Sequence, residues 1–387
     1  MSVPVFSAGF RPFFLAAALW SAIALALWIC MLIGEIDLPS RFDPLSWHIH
    51  EMLFGFVMAG VGGFLLTAIP NWTARAPVCG GRLSLLVAFW VLGRAACLVS
   101  AWLPVWVAPV VDLMFPLALE LVAVRELIAA GNRRNYPLLV PVVVLAAGNV
   151  LMHLEALGVV VPPGLGWRLG VATVLILISV IGGRIIPAFT RNWLTARGAA
   201  WLPATTGWVD RVALGALHGA LLLWSFLPQV GWVGALLLLG AAVNLWRLVR
   251  WRGTATVTEP LLLILHLGYL WLVAGTVLLG LSLLCPAVPA TAALHMLTAG
   301  AFGTMMLAVM TRATLGHTGR RLHADGATVA IYVLVGIGAV LRVVAAWPSA
   351  ASDDTLIGAA VCWIAAFTLF AAYYGPMLLM RRADSSD

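Results

Sequence analysis

Charged residues are scarce in this 387-residue chain, at 10% of the total against about 25% in soluble domains. Lysine is absent, so all 22 basic residues are arginine. Hydrophobic residues make up 63% of the chain, and the mean hydropathy is +1.04. No nucleic-acid-binding motif is present. This composition excludes a soluble globular domain and indicates a helical membrane protein with many spans.

Paired cysteines are also missing. The chain has five cysteines in all, and no two of them form a CxxC motif. Without CxxCH, a haem would have to be held without a covalent thioether link. We interpret the cysteines as small apolar packing residues, and we expect neither a disulfide framework nor a thiolate metal site.

Long apolar runs are abundant instead. A membrane-spanning helix needs about 20 mostly apolar residues. The sequence predicts twelve such helices within one integral domain, residues 1–387. They cover approximately 12–34, 47–69, 83–103, 106–129, 137–160, 166–188, 206–228, 231–250, 259–284, 289–311, 328–347 and 355–380.

The arginines predict the orientation of these helices. They follow the even-numbered spans, whereas the loops after odd-numbered spans hold little beyond Arg41 and Arg168. Because cytoplasmic loops are enriched in basic residues, both termini are expected in the cytoplasm. The alternation supports an even number of spans.

Histidines stand out in such an apolar chain, because an ionisable group at membrane depth is costly without a partner or a function. With the predicted orientation, His48, His50, His153 and His295 all lie near the outer ends of their helices. Imidazole is a common metal ligand. We therefore expect metal ligands among these four histidines and His266, which lies nearer the cytoplasmic side.

A b-type haem fits two of these helices. His48 and His50 are two residues apart and face nearly opposite ways on a helix, so one of them could ligate a haem iron together with His295. Gly55 would leave room for the macrocycle, and Phe302 shares a helical face with His295. Ordinary helix packing through small residues is the alternative for these positions.

The acidic residues at membrane depth have two interpretations. Glu51, Asp112, Glu120 and Glu155 could form a proton path to a redox centre, or they could take part in structural ion pairs. Arg94 and Arg342 also lie within apolar runs and need partners or water. His153 and His266 could belong to a second metal site, with copper or iron, or to the proton path.

Five segments resemble the NnrS family of membrane proteins. They extend from the first predicted helix to beyond the tenth: FSAGFRPFFL (Phe6 to Leu15), WHIHEMLFGF (Trp47 to Phe56), FLLTAIPNWT (Phe64 to Thr73), GGRIIPAFTRNWL (Gly182 to Leu194) and MTRATLGHTGR (Met310 to Arg320).

This resemblance implies a bacterial inner-membrane protein that contains haem and copper and is associated with denitrification and nitric oxide tolerance. We expect one or two b-type haems and nitric oxide as the ligand. Among catalysis, sensing and metal delivery, we favour a haem-dependent nitric oxide oxidoreductase. The electron donor and the oligomeric state stay open. The alternative function is a twelve-helix proton-coupled transporter or a metal or haem exporter.

Overall fold

A computed structural model describes residues 3–347 and 352–383. It is 79% helical, and the described residues contain no strand. Within the described residues, twelve helices are long and apolar enough to cross a membrane. They are α1 (Phe10–Leu32), α2 (Pro44–Thr73), α3 (Gly80–Leu98), α4 (Val107–Ala129), α5 (Arg133–Ala156), α6 (Leu165–Thr195), α7 (Trp208–Phe226), α8 (Gly231–Val249), α9 (Pro260–Leu284), α10 (Ala290–His317), α11 (Gly326–Val344) and α12 (Asp353–Leu379).

The predicted all-helical fold with twelve spans is confirmed. Three of the helices that carry the family-like motifs are longer than the apolar runs predicted. Helix α2 has 30 residues, α6 has 31 and α10 has 28. The length of an apolar run, about 20 residues, reflects the thickness of the bilayer, and the helix itself can be longer. Polar residues continue α2 beyond the apolar run at both ends, and they continue α6 and α10 at the C-terminal end.

The chain forms two compact units. The first contains the described residues of Met1–Gly170, Ala313–Arg321 and Phe367–Asp387, and the second those of Val171–Arg312 and Leu322–Ala366. The first unit therefore holds helices α1 to α5 and the ends of α10 and α12. Helices α7, α8, α9 and α11 belong to the second unit.

Within the first unit, the start of α1 lies against the end of α12. The guanidinium of Arg11 donates to the carbonyl oxygens of Leu378 (2.9 Å) and Met380 (2.6 Å). Both ends of the membrane domain are thus on the same side, as an even number of spans requires. That this side is the cytoplasm stays a prediction.

Helices α2 and α10 share a rare backbone feature. The Asp43 carboxylate caps α2 by accepting from the backbone of Leu45 and Ser46. The first two turns are α-helical, and a π-helical segment follows from Glu51 to Val57. A second π-helical segment, Met296–Phe302, lies in α10. Such segments are often found at functional sites, because the wider turn redirects the side chains around it.

Candidate metal centre

Four potential metal ligands meet inside the first unit. His50 on α2, Cys97 on α3, Asp112 on α4 and His153 on α5 offer one ligand atom each, and these atoms all lie within 4.8 Å of one another. All four side chains are buried. Four helices thus deliver two imidazoles, a thiol and a carboxylate to one point.

His50 is enclosed on both sides of its ring. Its Nδ1 lies 3.0 Å from Glu51 Oε1. Its Nε2 lies 3.0 Å from Asn149 Oδ1 and 3.1 Å from Asp112 Oδ2. Both ring nitrogens therefore face oxygen atoms, and the residue has no exposed surface.

Asp112 is the point on which the cluster converges. Its Oδ2 accepts from Asn149 Nδ2 at 2.8 Å and lies 3.0 Å from His153 Nε2. The other carboxylate oxygen, Oδ1, accepts a hydrogen bond from Arg94. Helix α3 approaches closely here because residue 93 is glycine, and a Cβ at Gly93 would lie 2.9 Å from Asp112 Oδ1.

Glu51 extends the network towards α1. Arg94 Nη1 donates to both Glu51 oxygens at 2.7 Å. Trp20 Nε1 donates to Glu51 Oε2 at 2.8 Å. Arg94 thereby bridges two buried carboxylates, which is the condition under which charges are tolerated at membrane depth.

Aromatic rings cover the cluster. Phe42 stacks on His50 with ring centroids 4.6 Å apart and lies 5.1 Å from His153. Phe54 lies 5.3 Å from His50 on the next turn of α2. The apolar cover keeps bulk water away and strengthens the electrostatic interactions beneath it.

The cluster requires one further positive charge. Glu51 and Asp112 carry two negative charges and Arg94 one positive charge, so one negative charge remains when both imidazoles are neutral. A neutral imidazole carries a single N–H, yet both nitrogens of His50 face acceptor oxygens. One further cation balances this geometry, either a proton on His50 or a metal ion beside Asp112 Oδ2.

His48, two residues before His50, lies outside the cluster. His48 is half-buried, and its ring stacks on Trp28 with centroids 4.8 Å apart and planes 18° apart. The two histidines thus have separate surroundings, as their spacing on the helix predicts. Gly55 lies against Trp20, whose Nε1 would be 2.5 Å from a Cβ at residue 55.

The remaining predicted acidic residues are outside the cluster. Glu120 on α4 is partly buried, and its Oε2 has no hydrogen-bond partner among the described residues. Glu155 accepts from the backbone N–H of Gly164 at 3.0 Å, where the chain turns with φ +67°. This contact orders the loop between α5 and α6. A role for either acid in a proton path stays a prediction.

The second unit holds His266 and His295. His266 is buried on α9, with Nε2 3.0 Å from Thr190 Oγ1 and with Nδ1 unpartnered among the described residues. His295 is half-buried, and its Nδ1–H donates to the Thr291 carbonyl at 2.8 Å. Its Nε2 is therefore the atom that can act as a ligand. Phe302 is buried at the end of the π-helical segment of α10.

Sequence reasoning missed Cys97 and the part played by Trp20 and Asn149. In the sequence, Cys97 has no second cysteine at ligand spacing, which predicts an apolar packing residue rather than a ligand. The available signal was its position three residues after Arg94, since i and i+3 lie on the same helix face.

The fold and the cluster together define a class: an integral membrane protein of twelve helices with a buried His, Cys and Asp group suited to a metal ion. The family described as NnrS protein matches residues 4–382. The chain belongs to this family along nearly its whole length, and the resemblance found in the sequence motifs is confirmed. No curated protein sequence gives a significant match.

Proposed function

We propose that this protein is a haem-containing bacterial inner-membrane protein that binds or turns over nitric oxide, with a copper ion in the cluster of His50, Cys97, Asp112 and His153. The observation that carries the proposal is the meeting of these four ligand atoms within 4.8 Å in the buried interior. Family membership supports a metal-containing membrane protein.

The donor set fits copper. Imidazole nitrogen and thiolate sulfur are ligands that copper prefers, and softer sites of this type discriminate against magnesium and calcium. The outer contacts fit as well, because His50 Nδ1 faces Glu51, and a ligating histidine usually donates its other ring N–H to a carboxylate or carbonyl. Arg94 would hold Glu51 and Asp112 in place when the metal binds.

The haem requires a different set of residues. His50 does not fit as an axial ligand, because oxygen atoms face both of its ring nitrogens. His48 is half-buried, which favours it over His50 as the haem ligand on α2. His295 fits, because its Nδ1–H donates to a carbonyl and leaves Nε2 for the iron. His48 and His295 lie in different units, and each is proposed as an axial ligand.

Nitric oxide is the proposed ligand because it is small and apolar, and it can reach a buried site through the bilayer. A haem held by two axial histidines has no free position, so nitric oxide would bind a second ferrous haem that keeps an open axial position. Asp112 lies between the rings of His50 and His153 and would hold both in place.

Spectroscopy of the purified protein tests the proposal. The pyridine haemochrome assay should find b-type haem, and the reduced protein should change its absorption spectrum when titrated with nitric oxide. His295→Ala should lose the low-spin haem spectrum. A folded wild-type protein with no haem, or with haem that does not respond to nitric oxide, would overturn the proposed function.

Copper is tested separately by elemental analysis and Cu(II) electron paramagnetic resonance. Removing a ligand, as in Cys97→Ser or His153→Ala, should weaken copper binding by at least about tenfold, the lower limit seen even for outer contacts. His218→Ala is a matched control, because His218 is bonded to Ser179 in the second unit. Equal copper content in all variants contradicts this site.

The alternative is a proton-coupled transporter or metal exporter. The observation that favours it is the charge balance of the cluster, since a proton on His50 satisfies the geometry as well as a metal does. In that case, the purified protein would bind neither haem nor copper, and a His50→Gln variant would lose proton-driven uptake or export in vesicles.

A further inference from the structure

A local arrangement in the first unit is repeated in the second. In both α2 and α10, a seven-residue π-helical segment begins directly after a histidine, His50 or His295. π-Helical segments account for well under 1% of residues. Two that start at the same point relative to a histidine therefore indicate a repeated structural unit.

The packing against these segments is also repeated. A glycine stands five residues after each histidine, and a tryptophan from the preceding helix covers it. A Cβ at Gly55 would lie 2.5 Å from Trp20 on α1, and a Cβ at Gly300 would lie 2.8 Å from Trp271 on α9. The close approach of an indole ring thus needs glycine in both places.

The following helix supplies an arginine in both units. Arg94 on α3 corresponds to Arg342 on α11, and α11 packs against the first turns of α10. Arg342 is close enough to His295 for the two side chains to interact electrostatically. Each unit therefore presents a histidine and an arginine beside the start of a π-helical segment.

The carboxylates are not repeated. In the first unit, Glu51 directly follows the histidine, and Asp112 lies on α4. Both carboxylates pair with Arg94. In the second unit, Met296 follows the histidine, and Arg342 forms no ion pair with any residue that the structure describes. Helix α12 begins with Asp353 and Asp354, which are exposed and lie outside ion-pair distance of Arg342.

We propose that Arg342, beside His295, forms a binding site for a carboxylate or another small oxyanion, which takes the place that Glu51 fills in the first unit. A guanidinium offers two parallel N–H donors that match a carboxylate. An unpaired cation at membrane depth is costly, so a bound anion stabilises this end of α11. The source of the anion is either a free small anion or the propionate of a bound haem.

Supplying the carboxylate from the chain tests this site. Met296→Glu places it where the first unit has Glu51, and Met296→Gln is a control of the same size without charge. In a neutral detergent, formate should raise the melting temperature of the wild-type protein and of Met296→Gln. At equal ionic strength, it should have no such effect on Met296→Glu or Arg342→Gln.

A second measurement separates the two sources of the anion, and it alone rests on the proposed function. If the anion is a haem propionate, formate does not change the melting temperature of the wild-type protein. The amount of haem per protein then falls at least about twofold in Met296→Glu and Arg342→Gln. It does not fall in Met296→Gln. Wild-type protein without haem counts against the proposed function, and the formate measurement then decides this inference alone. The inference is wrong if Met296→Glu and Met296→Gln agree in both measurements. Arg342→Gln gives the same test should Met296→Glu fail to fold.

Discussion

Neutralising Arg94 tests the central claim about the first unit, that this guanidinium holds two buried carboxylates in place. The Arg94→Gln variant removes the contacts to both Glu51 oxygens and to Asp112. The side chains of Arg94 and Glu51 are 4% and 0% exposed, so water cannot replace the lost charge. Removing one partner of a buried ion pair typically costs about 3–5 kcal/mol.

The expected magnitude lies at the lower end of this range. Glu51 keeps the hydrogen bond from Trp20, and Asp112 keeps the one from Asn149. We therefore predict that Arg94→Gln lowers the free energy of unfolding by about 3 kcal/mol. The measurement is unfolding in mixed micelles with increasing denaturing detergent, followed by tryptophan fluorescence.

A second ion pair provides the matched control. Arg75 contacts Glu126 at 2.6 Å, but the Arg75 side chain is 42% exposed. Because exposed pairs are worth about 0–1 kcal/mol, Arg75→Gln should change the stability by less than about 1 kcal/mol. If Arg94→Gln is no more destabilising than Arg75→Gln, the proposed role of Arg94 is refuted.

A double variant checks that the effect comes from charge. With Glu51→Gln added to Arg94→Gln, one negative charge leaves together with the positive one. The combined loss should be smaller than the sum of the single losses by about 1–3 kcal/mol. Additive losses would mean that Arg94 acts through packing alone.

Most of the fold was predictable from composition. Twelve apolar runs in a chain with little charge admit few structures other than a bundle of membrane-spanning helices, since each backbone polar group in lipid needs an internal partner. The bounds of α2 and α10 were less predictable. Hydropathy measures the apolar stretch, whereas the helix continues through the polar ends.

The candidate site was predictable only in part. His50 and His153 are predicted as metal ligands, and Asp112 and Glu51 as members of either a proton path or ion pairs, because such groups are costly in an apolar run without a partner or a function. Their meeting at one point depends on the rotation of four helices about their axes. Helix rotation is set by packing, including the close approach at Gly93, and it leaves little trace in a single sequence.

Cys97 is a second residue whose role depends on helix packing rather than on the sequence around it. A buried cysteine is among the most ordinary residues of an apolar helix, so only the position three residues after Arg94 separates Cys97 from Cys30 or Cys362 in the sequence. Only its neighbours on α2 and α4 turn a packing residue into a candidate ligand. The π-helical segments are similarly hidden, because no residue type marks them reliably.

Two further predictions concern the membrane topology and the packing of α2. Reporter fusions placed after Asp387 and in the loop near Asp43 should report opposite sides of the membrane, with the first in the cytoplasm; the same side for both contradicts the orientation derived from the arginines. Gly55→Ala should destabilise the first unit, because the added methyl group would lie 2.5 Å from the indole of Trp20. The indole cannot move away without losing its hydrogen bond to the Glu51 carboxylate, so we expect a loss of about 1–3 kcal/mol, as for other overpacked cores. The control is Gly336→Ala on α11, where nothing lies within 4 Å of the new Cβ. Alanine there should stabilise the helix by about 0.5–1 kcal/mol, because glycine loses more backbone freedom on folding. Thermal unfolding followed by tryptophan fluorescence measures both. Equal behaviour of the two alanine variants would show that the indole does not pack on Gly55.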